Sequence, residues 1–183
     1  MLDETKMESV KEMLALLKEE IGNTYCVLAD YPSIADGSNI ILFRSAKTET
    51  CNMFLEELEK KCTNVNVFLY GEEDALLQSK QYANLNIKYC IMQGKFSVED
   101  VLDYRLQLGD SNIDNIFFLG GAVHSKQLLN VYDVICEMFS ANIPVYKYMK
   151  GNGLVQYYDF FHYTDTFKLY LNTYKWFSDL LKS

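Results

Sequence analysis

The residues best suited to chemistry fall in residues 114–132, DNIFFLGGAVHSKQLLNVY. An apolar run ends in Gly120-Gly121, a short polar loop carries His124, and a helical pattern starts near Ser125. In an open α/β sheet, the carboxyl end of such a strand is where ligands bind. Backbone N–H groups of a glycine turn, with the helix N-terminus behind them, favour an anion. His124 is a side chain that could exchange protons near neutral pH. The stretch is neither G-x-G-x-x-G nor a Walker A sequence, so the two glycines also fit plain turn punctuation.

A second group lies earlier. Asn-Ile-Ile-Leu-Phe-Arg, residues 39–44, is a buried-strand pattern that ends in Arg44, with Ser45 and Lys47 after it. Arg44 and Ser45 could hold a phosphate or carboxylate. Arg44 could equally pair with a carboxylate at the sheet rim. The expected ligand edge is therefore Arg44, Ser45, Gly120, Gly121 and His124. No residue is assigned a catalytic role, no cofactor is expected, and no metal either. A zinc site needs clustered Cys or His, and the chain has two histidines, far apart, and five cysteines without a C-x-x-C pair. Cys26, Cys51, Cys62, Cys90 and Cys136 are expected to be reduced thiols, mostly buried in strands and helices.

Charge narrows the partners. The chain has 25 acidic and 17 basic residues, a formal charge of −8. Phosphate-backbone binding needs a concentrated basic face, so no nucleic acid is expected. Lys60-Lys61 is interleaved with Glu56, Glu57 and Glu59, the pattern of a solvated helix face. No apolar run reaches the ~20 residues of a membrane-spanning helix. The charged start, MLDETKMESVKEML, has no signal-peptide pattern, and a cytoplasmic protein is expected.

The elements that must position these residues alternate. Helical spacing of Met7, Val10, Leu14, Leu17 and Ile21 predicts a helix over 4–21, stopped at Gly22. Strands are predicted over 24–29, 39–44, 65–70, 87–92, 116–119 and 143–148. Helices are predicted over 50–61, 72–83, 98–108 and 125–140, with Val98, Val101, Leu102 and Leu106 turned inward in the third of these. Unalternating apolar strands between helices predict a mainly parallel sheet covered on both faces, a three-layer Rossmann-like α/β fold. The whole chain, 1–183, reads as one such domain, with 151–183 as a hairpin and helical extension. Asn152-Gly153 is the hairpin signal, 154–161 the returning strand, and Thr164 or Asp165 the cap of the last helix. That tail is crowded with aromatic residues. Tyr174, Trp176 and Phe177 are candidates for a homodimer or protein-partner interface, although the stripe also suits packing within the chain.

Two segments carry a family likeness. NIILFRSAKTETCNMFLEELEKKCTNVNVFLYGEE and NIDNIFFLGG, with NVYDVICEMFSANIPVYKY after it, resemble the N-terminal Rossmann-like half of heptosyltransferase-type (ADP-heptose) glycosyltransferases. In that half a strand ending in Arg leads into a helix and then a strand closed by glycine. The likeness spans roughly residues 39–157 and is one of pattern, without a signature motif. It implies a Rossmann-like fold and a link to cell-surface polysaccharide. Those enzymes have two such halves and hold the donor nucleotide mainly in the second, whereas this chain has room for one. Their early Gly-Asp pair, the source of a candidate base, has no counterpart at Ser45-Ala46-Lys47-Thr48. The expectation is thus a non-catalytic half-domain binding a partner or a small anionic ligand. The alternative is a small transferase acting on a nucleotide sugar at the edge formed by Gly120 and His124.

Overall fold

The computed structural model describes residues 3–24, 26–44, 47–91, 98–120, 135, 142–150, 153–158 and 160–182. The described chain divides into two compact units, residues 28–157 and residues 1–27 with 158–183.

The larger unit is built on strands whose side chains are apolar on both faces. These are β2 (Asn39–Arg44), β3 (Val65–Gly71), β4 (Leu85–Ile91), β5 (Asn115–Leu119) and β6 (Val145–Tyr148). Such strands must be covered on both sides, which suits parallel pairing through helical crossovers. All four pairings among them are parallel: β2 with β3, β2 with β5, β3 with β4 and β5 with β6. With β1 (Cys26–Asp30) and β7 (Leu154–Tyr158) they form a seven-stranded mixed sheet in the order β1-β7-β6-β5-β2-β3-β4. The fold is α/β, mostly parallel, flanked by helices and consistent with a Rossmann-like three-layer architecture. Neighbours β6 and β7 are joined by a connection too short for a parallel crossover. At the edge, the Tyr31 N–H donates to the Gly153 carbonyl at 3.3 Å.

The core is densest under α2 (Thr48–Lys61). Its Cys51, Phe54, Leu55 and Leu58 are fully buried, in one cluster with Ile40, Leu42, Val67 and Phe117. Phe54 meets the rings of Phe117 at 5.1 Å and Tyr148 at 5.2 Å. The Tyr148 hydroxyl donates to Glu57 Oε1 at 2.8 Å. Burying this face removes large apolar area from water, the main favourable contribution to folding.

Register is fixed at the amino edge by a ladder of amides. Asn39 pairs with Asn66 and Asn66 with Asn86 across β2, β3 and β4. Asn66 Nδ2 donates to Asn39 Oδ1 at 3.0 Å, and Asn86 Nδ2 to Asn66 Oδ1 at 3.2 Å. Asn39 Nδ2 continues the row to the Asn112 carbonyl. Asp114 Oδ2 accepts from the Asn39 N–H, tying β5 to the same edge.

Several expectations need correction. The first helix, α1 (Glu4–Thr24), runs through Gly22. A glycine costs a helix about 1 kcal/mol, too little to force a stop by itself. The helix expected over 72–83 is one turn, α3 (Ala75–Gln78), because Asp74 caps it late and Ser79 closes it early. In α4 (Val98–Leu108) two residues expected to face inward are exposed, Leu102 by 43% and Leu106 by 81%, while the side chains of Val98 and Val101 lie outside the described residues. Asp103 and Gln107 instead line a groove with Phe68, Tyr70 and Tyr89. Helical spacing locates an apolar stripe, but the direction it faces is set by tertiary packing. Strand β7 ends at Tyr158 and the last helix, α5 (Phe160–Lys182), begins before Thr164 and Asp165. Aromatic residues suit strand and helix alike, so that boundary is weakly marked. The helix expected over 125–140 lies outside the described residues, apart from a buried Ile135.

In the smaller unit α1 and α5 pack on each other. Met7, Val10, Leu14 and Leu17 are the half-buried positions of α1, the stripe its spacing predicts. Phe177 is 6% exposed, whereas Trp176 is 50% exposed and Tyr174 similarly open.

Candidate functional site at the carboxyl edge

The chain order reverses between β2 and β5: β3 and β4 lie on one side of β2, β5 and β6 on the other. In an open α/β sheet such a reversal of strand order, at the carboxyl ends of the two central strands, is the position where ligands bind. Arg44, the last residue of β2, is in register with Leu119, the last of β5. Gly120 follows with φ +70°, a left-handed conformation that glycine adopts without steric cost. The structure therefore brings Arg44 and Gly120 to one edge, at the topological switch point. Ser45, Gly121 and His124 lie outside the described residues.

Three residues not singled out in the sequence complete the described part of this edge. Asp74 follows β3, next door to β2, and caps α3 by accepting from the Leu76 and Leu77 N–H groups at 2.9 and 3.3 Å on Oδ1. Its Oδ2 accepts from Arg44 Nη2 at 2.9 Å and from the Thr48 hydroxyl. Arg44 Nη2 also reaches Thr48 Oγ1 at 2.8 Å. The ion pair is shielded, with 11% of the Arg44 side chain and 19% of the Asp74 side chain exposed. Gly71 makes the approach feasible: a Cβ there would stand 3.2 Å from the Cβ of Arg44. The sequence signal for Asp74 was its place as an N-cap residue just past an apolar strand, hidden in the acidic run Glu72-Glu73-Asp74.

The electrostatics follow from this geometry. Burial by itself would raise the Asp74 carboxyl, but the Leu77 N–H, Arg44 and the Leu76 N–H outweigh it and hold the group below the ordinary aspartate value. Asp74 is thus a carboxylate with all its acceptor positions directed. Cys51, one turn into α2, responds oppositely. Burial pushes its thiol up to about 11, against the pull of Arg44 and with the push of Asp74. A thiol in that state is a packing group, because the thiolate is the nucleophile.

The N-terminus of α2 opens on the same edge. Its N-cap is Lys47, whose side chain makes no capping bond. The first N–H groups of a helix carry partial positive charge and attract anions. An open groove also runs between α2 and α3, lined by Thr48, Asn52, Leu76 and Ser79 with the ion pair of Lys80 and Glu56 at its rim. Among the described residues there is no group of three or more His, Cys, Asp or Glu side chains that could hold a metal ion. No described helix is long and apolar enough to cross a membrane. Among the described residues Cys51, Cys62 and Cys90 are free cysteines, the first two buried.

Neither a family model nor a curated protein matches the chain.

Proposed function

We propose that this chain is a non-catalytic, Rossmann-like half-domain that binds a small anionic ligand in the crevice between the carboxyl ends of β2 and β5. The observation that carries this reading is the register of Arg44 with Leu119 at the point where strand order reverses. The guanidinium gives the edge its cation, the α2 N-terminus adds backbone N–H groups that the Lys47 side chain does not cap, and Gly120 allows a close backbone approach. The likeness to one half of a heptosyltransferase-type enzyme suggests cell-surface polysaccharide metabolism, and a cation beside backbone N–H groups suits a phosphate-bearing ligand. A thermal-shift screen of nucleotides and nucleotide sugars tests it, since a ligand that binds only the folded state stabilises it. A hit on the wild type that disappears in Arg44→Gln is the expected result. A hit unchanged by Arg44→Gln moves the ligand elsewhere.

A second reading concerns a protein partner. Leu169, Tyr174, Trp176 and Leu181 of α5 are exposed, four large apolar side chains that a partner could cover. Association through Tyr174 and Trp176, with a second copy or another protein, accounts for them. Phe177 is buried and is not part of that exposed surface. Light scattering after size exclusion, on the wild type and on Tyr174→Ser with Trp176→Ser, separates self-association from a monomer.

A further inference from the structure

We infer that Asp74 is a built-in competitor for the anion at Arg44, so that the crevice accepts multiply charged ligands and rejects simple monoanions. This rests on the crevice reading above. The reason is geometric. Asp74 cannot swing aside, because Oδ1 is fixed by two backbone N–H groups of α3 while Oδ2 takes both Arg44 and Thr48. Arg44 is equally fixed: its Cβ lies against Gly71 and one nitrogen bonds both Thr48 and Asp74. An incoming anion therefore meets a cation whose charge is already compensated by a permanent neighbour. The Thr48 hydroxyl is spent in the same way, donating to Asp74 rather than to a guest. A carboxylate-sized monoanion offers Arg44 nothing that Asp74 does not already supply. A diphosphate brings more charge and more acceptor oxygens, and can also use the N–H groups at the start of α2.

The experiment is isothermal titration with inorganic pyrophosphate and, separately, acetate, on the wild type, Asp74→Asn and Arg44→Gln. Asparagine is as good an N-cap as aspartate, so Asp74→Asn keeps α3 capped through Oδ1 while removing the charge and the Oδ2 acceptor used by Arg44 and Thr48. An opposite charge within a few ångströms changes the energetics of its partner by about one to three decades, so pyrophosphate should bind Asp74→Asn about tenfold tighter or more. Acetate should bind the wild type too weakly to measure and become detectable in Asp74→Asn. Equal or weaker pyrophosphate binding by Asp74→Asn, with binding lost in Arg44→Gln, overturns this inference and leaves the crevice reading standing. Pyrophosphate binding that survives Arg44→Gln overturns the crevice reading, and binding by none of the proteins removes both. Asp74→Ser, another strong N-cap, serves if Asp74→Asn does not fold.

Discussion

Strand β2 takes part in a polar cluster at each of its ends, and the two clusters are built on different principles. At the amino edge Asn39, Asn66 and Asn86 hydrogen-bond in a neutral row, each both part of the ladder and part of the strand. At the carboxyl edge Arg44, Thr48 and Asp74 form a shielded charged knot that draws on β2, α2 and the segment before α3. A neutral amide row satisfies itself wherever strands are in register, and it offers a charged ligand little. A charged knot costs desolvation, which its close geometry and added hydrogen bonds must offset. One edge thus fixes register, and the other keeps a cation in place at the switch point.

The largest test strikes the helix that spans both edges. Phe54→Ala deletes a fully buried ring between Phe117 and Tyr148, and should lower the unfolding free energy by about 3–5 kcal/mol. Urea denaturation measures this, and a single transition for both edges is expected in a domain of this size. A loss below ~1 kcal/mol would mean that α2 is not the common support.

The next test separates the edges. Asn66→Ala removes one donor to Asn39 and one acceptor from Asn86. At about 1 kcal/mol per net hydrogen bond, it should cost ~1–2 kcal/mol and leave pyrophosphate affinity unchanged. A change in affinity would show that the two edges are coupled.

Acid titration sharpens the charged side. Because the folded Asp74 value is depressed, its contribution to stability is complete above the unfolded value of about 4. It is lost as pH falls further, through the folded value. The stability difference between wild type and Asp74→Asn should therefore be constant near neutrality and shrink in acid, in chemical denaturation at a series of pH values. A difference that grows in acid would contradict the Arg44 pairing.

The smallest effect belongs to the far helix. Leu106→Ala touches a side chain that is almost fully exposed, and should change stability by no more than ~0.5 kcal/mol. A larger loss would mean that α4 is covered in solution.

The strands were legible because each is a short apolar run bounded by turn residues, and the parallel order followed from the helices between them. Gly120 and Arg44 were legible as strand ends. Their neighbours were not. Asp74 sits in an acidic run that reads as solvated surface, and its partner Thr48 lies 26 residues earlier, brought close only by the crossover. The outward turn of Leu102 and Leu106 was likewise illegible, since periodicity is blind to which neighbour a stripe meets. The amide ladder was hidden for the same reason: three separate asparagines become a row only once register is known.

The packing of α1 on α5 has a consequence for biosynthesis. During translation α1 leaves the ribosome well before its partner helix, with the whole β2–β7 segment made in between. Domains begin to fold as units while synthesis proceeds, so the β2–α2–β3–β4 segment can assemble from local contacts early. Throughout that interval Met7, Val10, Leu14 and Leu17 form an apolar stripe without its mate, and the nascent chain presents to chaperones a surface that the finished protein covers.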